Sequence, residues 1–199
     1  MLRNLFGLSG EKKFWKWFIE HSEELFNFET DQKRIFDELS SQLKNIHECL
    51  TFEFGPVHNN KREFVVSADG IVPAFPFVQK LVAAAPKMDH WSVIPFRKPK
   101  GVMKSIKFED FILMSQDVWF KHEKGSDRID LYFFVRNLCE ENERQAKSAV
   151  FIMLDSALGE YNVETMVGYI EFMQLPDSPE SRGLFQFEKI NDVFNLKFQ

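Results

Sequence analysis

The apolar residues of this chain keep two rhythms, and the change comes at Leu50. Before it the spacing is helical. Ser9, Gly10 and Glu11 open a helix whose Phe14, Trp17, Phe18, His21, Leu25 and Phe28 form one stripe. Trp15, Ile19 and Phe26 lie off that stripe and leave little of the helix polar, so it needs cover on more than one side. Thr30 is the expected cap of a second helix with Asp31 in its first turn. Along that helix Phe36, Leu39, Leu43, Ile46 and Leu50 recur by threes and fours. The pattern predicts an αα-hairpin over residues 9–49 that turns near Phe28 to Thr30.

Beyond Leu50 the period shortens to that of strands. Phe52 and Phe54 alternate with Thr51 and Glu53, turn-forming residues run from Gly55 to Lys61, and Phe64 to Val66 resume the strand. Asp69-Gly70 ends this hairpin. Pro73 to Ala85 reads as a helix with Phe77, Val78, Leu81 and Val82 inward, stopped by Pro86. Trp91 to Phe96 is the next strand, with Pro95 arguing for an edge or a bulge.

The same order then recurs. Ile106 and Phe108 mark a short strand; Val118, Phe120 and His122 pair across a turn at Lys124 to Asp127 with Ile129, Leu131, Phe133 and Val135. A helix from Asn142 to Leu158 follows, with Ala146, Val150, Met153, Leu154 and Ala157 inward and Gly159 closing it. The strand from Val163 to Met173 is apolar on both faces, which predicts a central place in its sheet. The expected fold is α+β in one domain spanning 1–199: a helical hairpin (9–49), two hairpin–helix–strand units (50–97 and 104–174) and a docking tail (184–199). The two units would form a mainly antiparallel sheet with helices packed on one face. They share element order and no sequence identity, a hint of pseudo-symmetry. The tail, with Phe187, Ile190, Phe194, Leu196 and Phe198, is expected to dock on the core and to help cover the first helix.

Composition sharpens this picture in one respect. Phe outnumbers Leu, 23 to 16, in 199 residues that also carry four Trp. Leu ordinarily heads the apolar list, so the core is expected to be built from large, rigid rings, each able to bury about 150–250 Å². The formal charge of −5 is mixed along the chain. The densest basic run, Arg97, Lys98, Lys100, Lys104 and Lys107, is broken by Pro99 and Gly101 and reads as a solvated loop, so no nucleic-acid partner is expected. The start, Met1 to Leu8, has too short an apolar run for a signal peptide, and no stretch approaches a membrane span. Cys49 and Cys139 form no CxxC pair. The expectation is a cytoplasmic protein with no membrane partner.

Candidate chemistry is sparse. His21, His47, His58, His90 and His122 show no metal-binding spacing, and there is no GxGxxG, P-loop or GxSxG motif. No metal, cofactor or catalytic residue is predicted. Cys139 sits beside Glu140 and Glu141, whose charge disfavours a thiolate. Polar groups at predicted element ends supply the ligand-binding candidates: Asp69, His90, Arg97, Asp155 and Glu160. Asp69-Gly70 is also ordinary turn chemistry, and Asp155 and Glu160, five apart, would not share a helical face. The leading reading is a non-catalytic module that binds another protein, or itself, through its aromatic first helix. The alternative is an enzyme or small-ligand binder with its site in a cleft between the two hairpin–helix–strand units.

Several short runs carry a resemblance: Phe14-Trp15-Lys16-Trp17-Phe18, then Ser67-Ala68-Asp69-Gly70 with Phe75-Pro76, then Ala85-Pro86, Trp91 and Phe96-Arg97. Leu154-Asp155 and Leu158-Gly159-Glu160-Tyr161 complete it. Together they resemble a family of uncharacterised bacterial proteins of unknown function. The resemblance implies a bacterial cytoplasmic protein with one continuous domain, and it brings no activity, cofactor or site residue with it.

Overall fold

The computed structural model describes residues 9–197, with side chains to Phe194; Met1 to Leu8, Phe198 and the side chain of Leu196 lie outside that description. The fold is α+β, helices first, in two compact units, Met1–Arg97 and Lys98–Gln199. In the first, α1 (Gly10–Glu20) and α2 (Ser22–Phe26) lead through a 3-10 turn at Phe28–Thr30 into α3 (Gln32–Lys44). Ser9 caps α1 through its side chain. The first helix ends at His21, whose backbone N–H still bonds to the Trp17 carbonyl at 3.1 Å, with the imidazole Nδ1 2.8 Å from the same oxygen. Asp31, not Thr30, stands at the N-cap of α3; the Thr30 hydroxyl donates backward to the Asn27 carbonyl.

Strands β1 (Thr51–His58) and β2 (Lys61–Ser67) form an antiparallel hairpin. The turn is tighter and later than the sequence suggests. Asn59 and Asn60 both take positive φ, 50° and 59°, the conformation that matches the twist of a two-residue hairpin. Gly55-Pro56 is instead a bulge, where the register slips between Phe54 and Val57 on an edge strand that tolerates proline. Helix α4 (Phe75–Ala83) then carries the chain back so that β3 (Trp91–Pro95) lies parallel to β2, giving the order β1-β2-β3. Phe52, Phe54, Phe64, Val66 and Trp91 join one core with Phe14, Trp15, Phe18, Leu25, Ile35, Leu39, Leu43, Val78 and Leu81 of the helices. Trp15, off the predicted stripe, is at the heart of this core: it is 3% exposed and its indole N–H donates to the Leu81 carbonyl at 2.8 Å. Ile19 is the residue left outside, 51% exposed.

The second unit repeats the pairing scheme. A small hairpin, β4 (Ser105–Phe108) with β5 (Phe111–Met114), precedes β6 (Val118–Lys124) and β7 (Ile129–Val135), which pair antiparallel. Helices α5 (Glu143–Leu158) and α6 (Glu160–Met166) return the chain so that β8 (Val167–Gln174) runs parallel to β7. With the short β9 (Phe185–Gln186) on β6, the order is β8-β7-β6-β9. The helix α5 buries the face read from its spacing. The strand expected from Val163 to Met173 is corrected in two ways. Its first part is α6, where Val163 and Met166 sit one turn apart, and the strand that remains lies at the sheet edge, with Tyr169 58% exposed. Apolar residues on both faces arose from a helix running into a strand.

Helix α7 (Ile190–Lys197) and the turn before it place Phe187, Ile190 and Phe194 in the core that α5, β6 and β7 form. The tail therefore completes its own unit, while Trp15 is covered from within the first unit by Phe14, Phe18, Phe64 and Leu81. Among the described residues three separate sheets stand in place of one. In two of them an antiparallel hairpin is extended by a parallel strand because a helix intervenes, while β4 and β5 stay a two-stranded hairpin.

Where β7 meets β8 the register slips between Ile129 and Leu131, and Asp130 accepts the Tyr169 backbone N–H at 2.7 Å. A Cβ on Gly168 would overlap that carboxylate. Gly168→Ala is expected to destabilise the chain by about 1–3 kcal/mol through this overlap. Denaturant melts of Gly168→Ala, alone and with Asp130→Ala, check it: the second change should recover part of the loss, and an unchanged midpoint for the single variant refutes the account.

Candidate functional site

A concavity of the first unit forms where the first helix breaks. Ile19 and Glu20 end α1, Ser22, Glu23 and Phe26 come from α2, and Asn27 follows. Asn60 at the hairpin tip and His90-Trp91 at the start of β3 supply the opposite wall. Together they enclose about 620 Å³. A second hollow of about 400 Å³ shares Glu20, Glu23 and Asn27 with it and extends to His21 and Glu24. The size suits a ligand or several side chains of a partner.

The walls are held from behind by the aromatic core. Trp91 donates its indole N–H to the Ser22 hydroxyl at 2.8 Å, tying β3 to α2. The Phe26 ring meets Trp91 at 5.7 Å and His90 at 6.2 Å, both edge to face. The His90 ring nitrogen Nδ1 lies 3.1 Å from the Asn60 side-chain amide and 3.2 Å from its carbonyl. Behind Phe26 lies the Arg62 guanidinium, 5.3 Å from that ring and 4.6 Å from the ring of Phe28. Arg62 is 9% exposed, and its Nη2 donates to Glu29 at 2.7 Å while its Nε is buried without a hydrogen-bond partner. The backbone of Glu29 and this guanidinium hold the Glu29 carboxyl below the usual carboxylate range. The charge of Arg62 is thus spent on two aromatic faces and one carboxylate.

Of the five candidates from the sequence, His90 reaches this groove. Asp69 and Arg97 meet elsewhere in the first unit: Arg97 Nη1 donates to Asp69 at 2.6 Å, and its Nε lies 3.7 Å from Glu53. Asp69 and Phe96 both hold positive φ, 49° and 61°, and the Asp69 N–H donates to the Ser67 hydroxyl. This is a clamp between the ends of β2 and β3. Asp155 and Glu160 belong to the second unit, on α5 and at the start of α6. Glu160 is 2% exposed, far more buried than a helix-end carboxylate needs to be. Near it, burial raises the carboxyl of Glu164; Arg128 opposes that shift and Glu160 adds to it.

The spacing of single elements could not reveal the groove, because its walls come from three segments far apart in sequence. Ile19 and Phe26, apolar beyond the needs of the buried stripe, were the signal pointing to it. Among the described residues no three His, Cys, Asp or Glu side chains are grouped to hold a metal, and no helix is long and apolar enough to cross a membrane.

Two measurements check these environments. Because the carboxyl of Glu164 binds its proton more tightly in the folded than in the unfolded chain, its penalty is complete at neutral pH and is relieved as pH falls through the raised value. Glu164→Gln is therefore expected to raise the melting temperature slightly near pH 7 and to lose that advantage under acid conditions; an advantage that grows on acidification contradicts the sign. Arg62→Ala, which empties the space between Phe26 and Phe28, is expected to cost about 1–3 kcal/mol. Arg62→Met keeps the packing and removes the orphan Nε, so its melt should lie much closer to the parent's. Equal losses in the two variants would show that charge, not packing, holds the site.

Compared with protein-family models, curated proteins and solved structures, the chain matches none of them.

Proposed function

We propose that this chain is a non-catalytic interaction module, a bacterial cytoplasmic protein that binds another protein through the groove at the break of its first helix. The observation that carries the reading is Ile19. In a unit that buries Phe14, Trp15 and Phe18 of the same helix, this large apolar side chain stands half in water on the rim of an open groove. Burying such a side chain is worth about 1.5–3 kcal/mol, and exposed apolar surface beside a polar rim marks interaction sites. Self-association uses the same chemistry and is the second form of this reading. An enzyme or small-ligand binder draws on the meeting of Asp69 and Arg97 and on the positive φ of Asp69 and Phe96. The closure of Arg97 on two carboxylates favours a structural clamp there.

Ile19→Glu tests the proposal without touching the core, whereas Trp15→Glu would unfold it. Light scattering and quantitative affinity purification on the parent, Ile19→Glu and a control, Tyr169→Glu in the other unit, read the outcome. A partner retained by the parent and the control and lost from Ile19→Glu supports the module. A dimer lost only in Ile19→Glu identifies the partner as a second copy. Binding lost in the control and kept in Ile19→Glu overturns the site, as does a monomeric parent that retains nothing.

A further inference from the structure

The groove is charged on one side only. Glu20, Glu23 and Glu24 line it and its adjoining hollow, and among the described residues no lysine or arginine does. Two nearby cations already meet lining carboxylates, Arg34 at Glu24 and Lys16 at Glu20, while Arg62 is turned away from the groove. Arg34 pairs with Glu24, Asp31 and Glu38, and Arg62 is stacked between Phe26 and Phe28 with its Nη2 on Glu29. Lys16 stands 3.8 Å from Glu20, both largely exposed, a contact that solvent and salt screen. Among the described residues Glu23 has no ion pair. Ile19, Phe26 and Trp91 line the same groove as these carboxylates. The site therefore offers both a place for positive charge and a place for an apolar side chain.

We infer that the groove takes a basic peptide segment of a partner protein, one that seats an apolar side chain against Ile19 and Phe26 and lays flanking lysines or arginines along Glu20 and Glu23. The inference rests on the interaction reading above and names the chemistry of its partner. Two features give it force. Unlike charges across an interface steer encounter and reject wrong partners, and the carboxylates here sit at the solvated rim, where pairing requires little desolvation. The walls are also fixed before anything binds: the Trp91–Ser22 hydrogen bond and the Phe26 contacts hold α2 against β3, so binding orders the partner alone. A second copy of this chain fits less well, since its formal charge is −5.

Selection of a displayed library of random short peptides on the full chain tests this, followed by fluorescence anisotropy of the enriched peptides with fluorescein attached. The expected peptides carry Lys or Arg around one apolar residue and bind more weakly as salt is raised. In the double variant Glu20→Lys, Glu23→Lys their affinity should fall at least about tenfold. Both positions are exposed, and circular dichroism confirms that the variant folds. Replacing the peptide's basic residues by Glu should restore binding to that variant, a rescue that general destabilisation cannot produce. Enriched peptides that are neutral or acidic, or basic ones indifferent to the double reversal, overturn the inference and leave the interaction reading standing. If no peptide is retained, the inference falls, and the retention and light-scattering test on Ile19→Glu decides the interaction reading separately.

Discussion

Each unit is organised about one phenylalanine at the middle of its sheet. Phe64 on β2 lies within ring contact of Phe14, Trp15, Phe18, Phe52, Phe54 and Trp91. Phe133 on β7 stands in the corresponding place, against Phe120, Phe172 and Phe187. Both strands are central, with an antiparallel hairpin partner on one side and a parallel partner returned by helix on the other. A ring there must be covered by neighbouring strands and by the helical layer together. In the first unit that cover comes from the three N-terminal helices and α4; in the second it comes from α5 and the C-terminal turn. The abundance of Phe is thus a requirement of the pairing scheme repeated twice.

This constraint explains what could be read along the chain. Alternation found β7, and helical spacing placed α5 from its cap to Gly159, because each of these elements buries one face against a single layer; β6 showed through Val118 and Phe120, although Trp119 between them is buried too, with Leu175 and Leu184. It failed where a residue serves two layers or where two elements abut. Trp15 looked surplus to its stripe because the stripe was drawn toward the sheet alone, whereas α4 covers the helix from another side through Leu81. The segment from Val163 onward looked like one two-faced strand because a seven-residue helix and an edge strand are joined without a polar break. Turn residues misled in a similar way: Gly55-Pro56 is stronger turn chemistry than Asn59-Asn60, yet the bulge absorbed it and the paired asparagines made the turn.

Sites were less legible than folds for a physical reason. A candidate chosen as a polar group at an element end is found as readily in a structural clamp as in a binding site. Asp69 and Arg97 show this: they do converge, and what they build is an ion pair that joins two strand ends. His90 reaches the groove because the hairpin tip and the start of β3 lie side by side, a consequence of parallel β2–β3 pairing that no local pattern contains. The residues that define the groove's chemistry, Glu20 and Glu23, look in the sequence like any solvated helix face. Only the position of Ile19 among them sets them apart.

The groove and the core are one construction seen from two sides. Phe26 and Trp91, which wall the groove, belong to the packing that covers Phe64, and the polar ends of that packing are tied off by Ser22, Asn60 and the Arg62 guanidinium. An arginine between two rings stiffens the outermost layer where a leucine would fill the same space without reaching Glu29. The break at His21 has its place in the same arrangement. A straight helix would carry Ile19 and Phe26 on toward solvent along one axis, whereas the break lets α2 lean against Trp91 while α1 stays on Phe64. The concavity lies where α2 turns off α1 toward Trp91, and Ile19 stands at its edge because Phe14, Trp15 and Phe18 of the same helix take the inward positions.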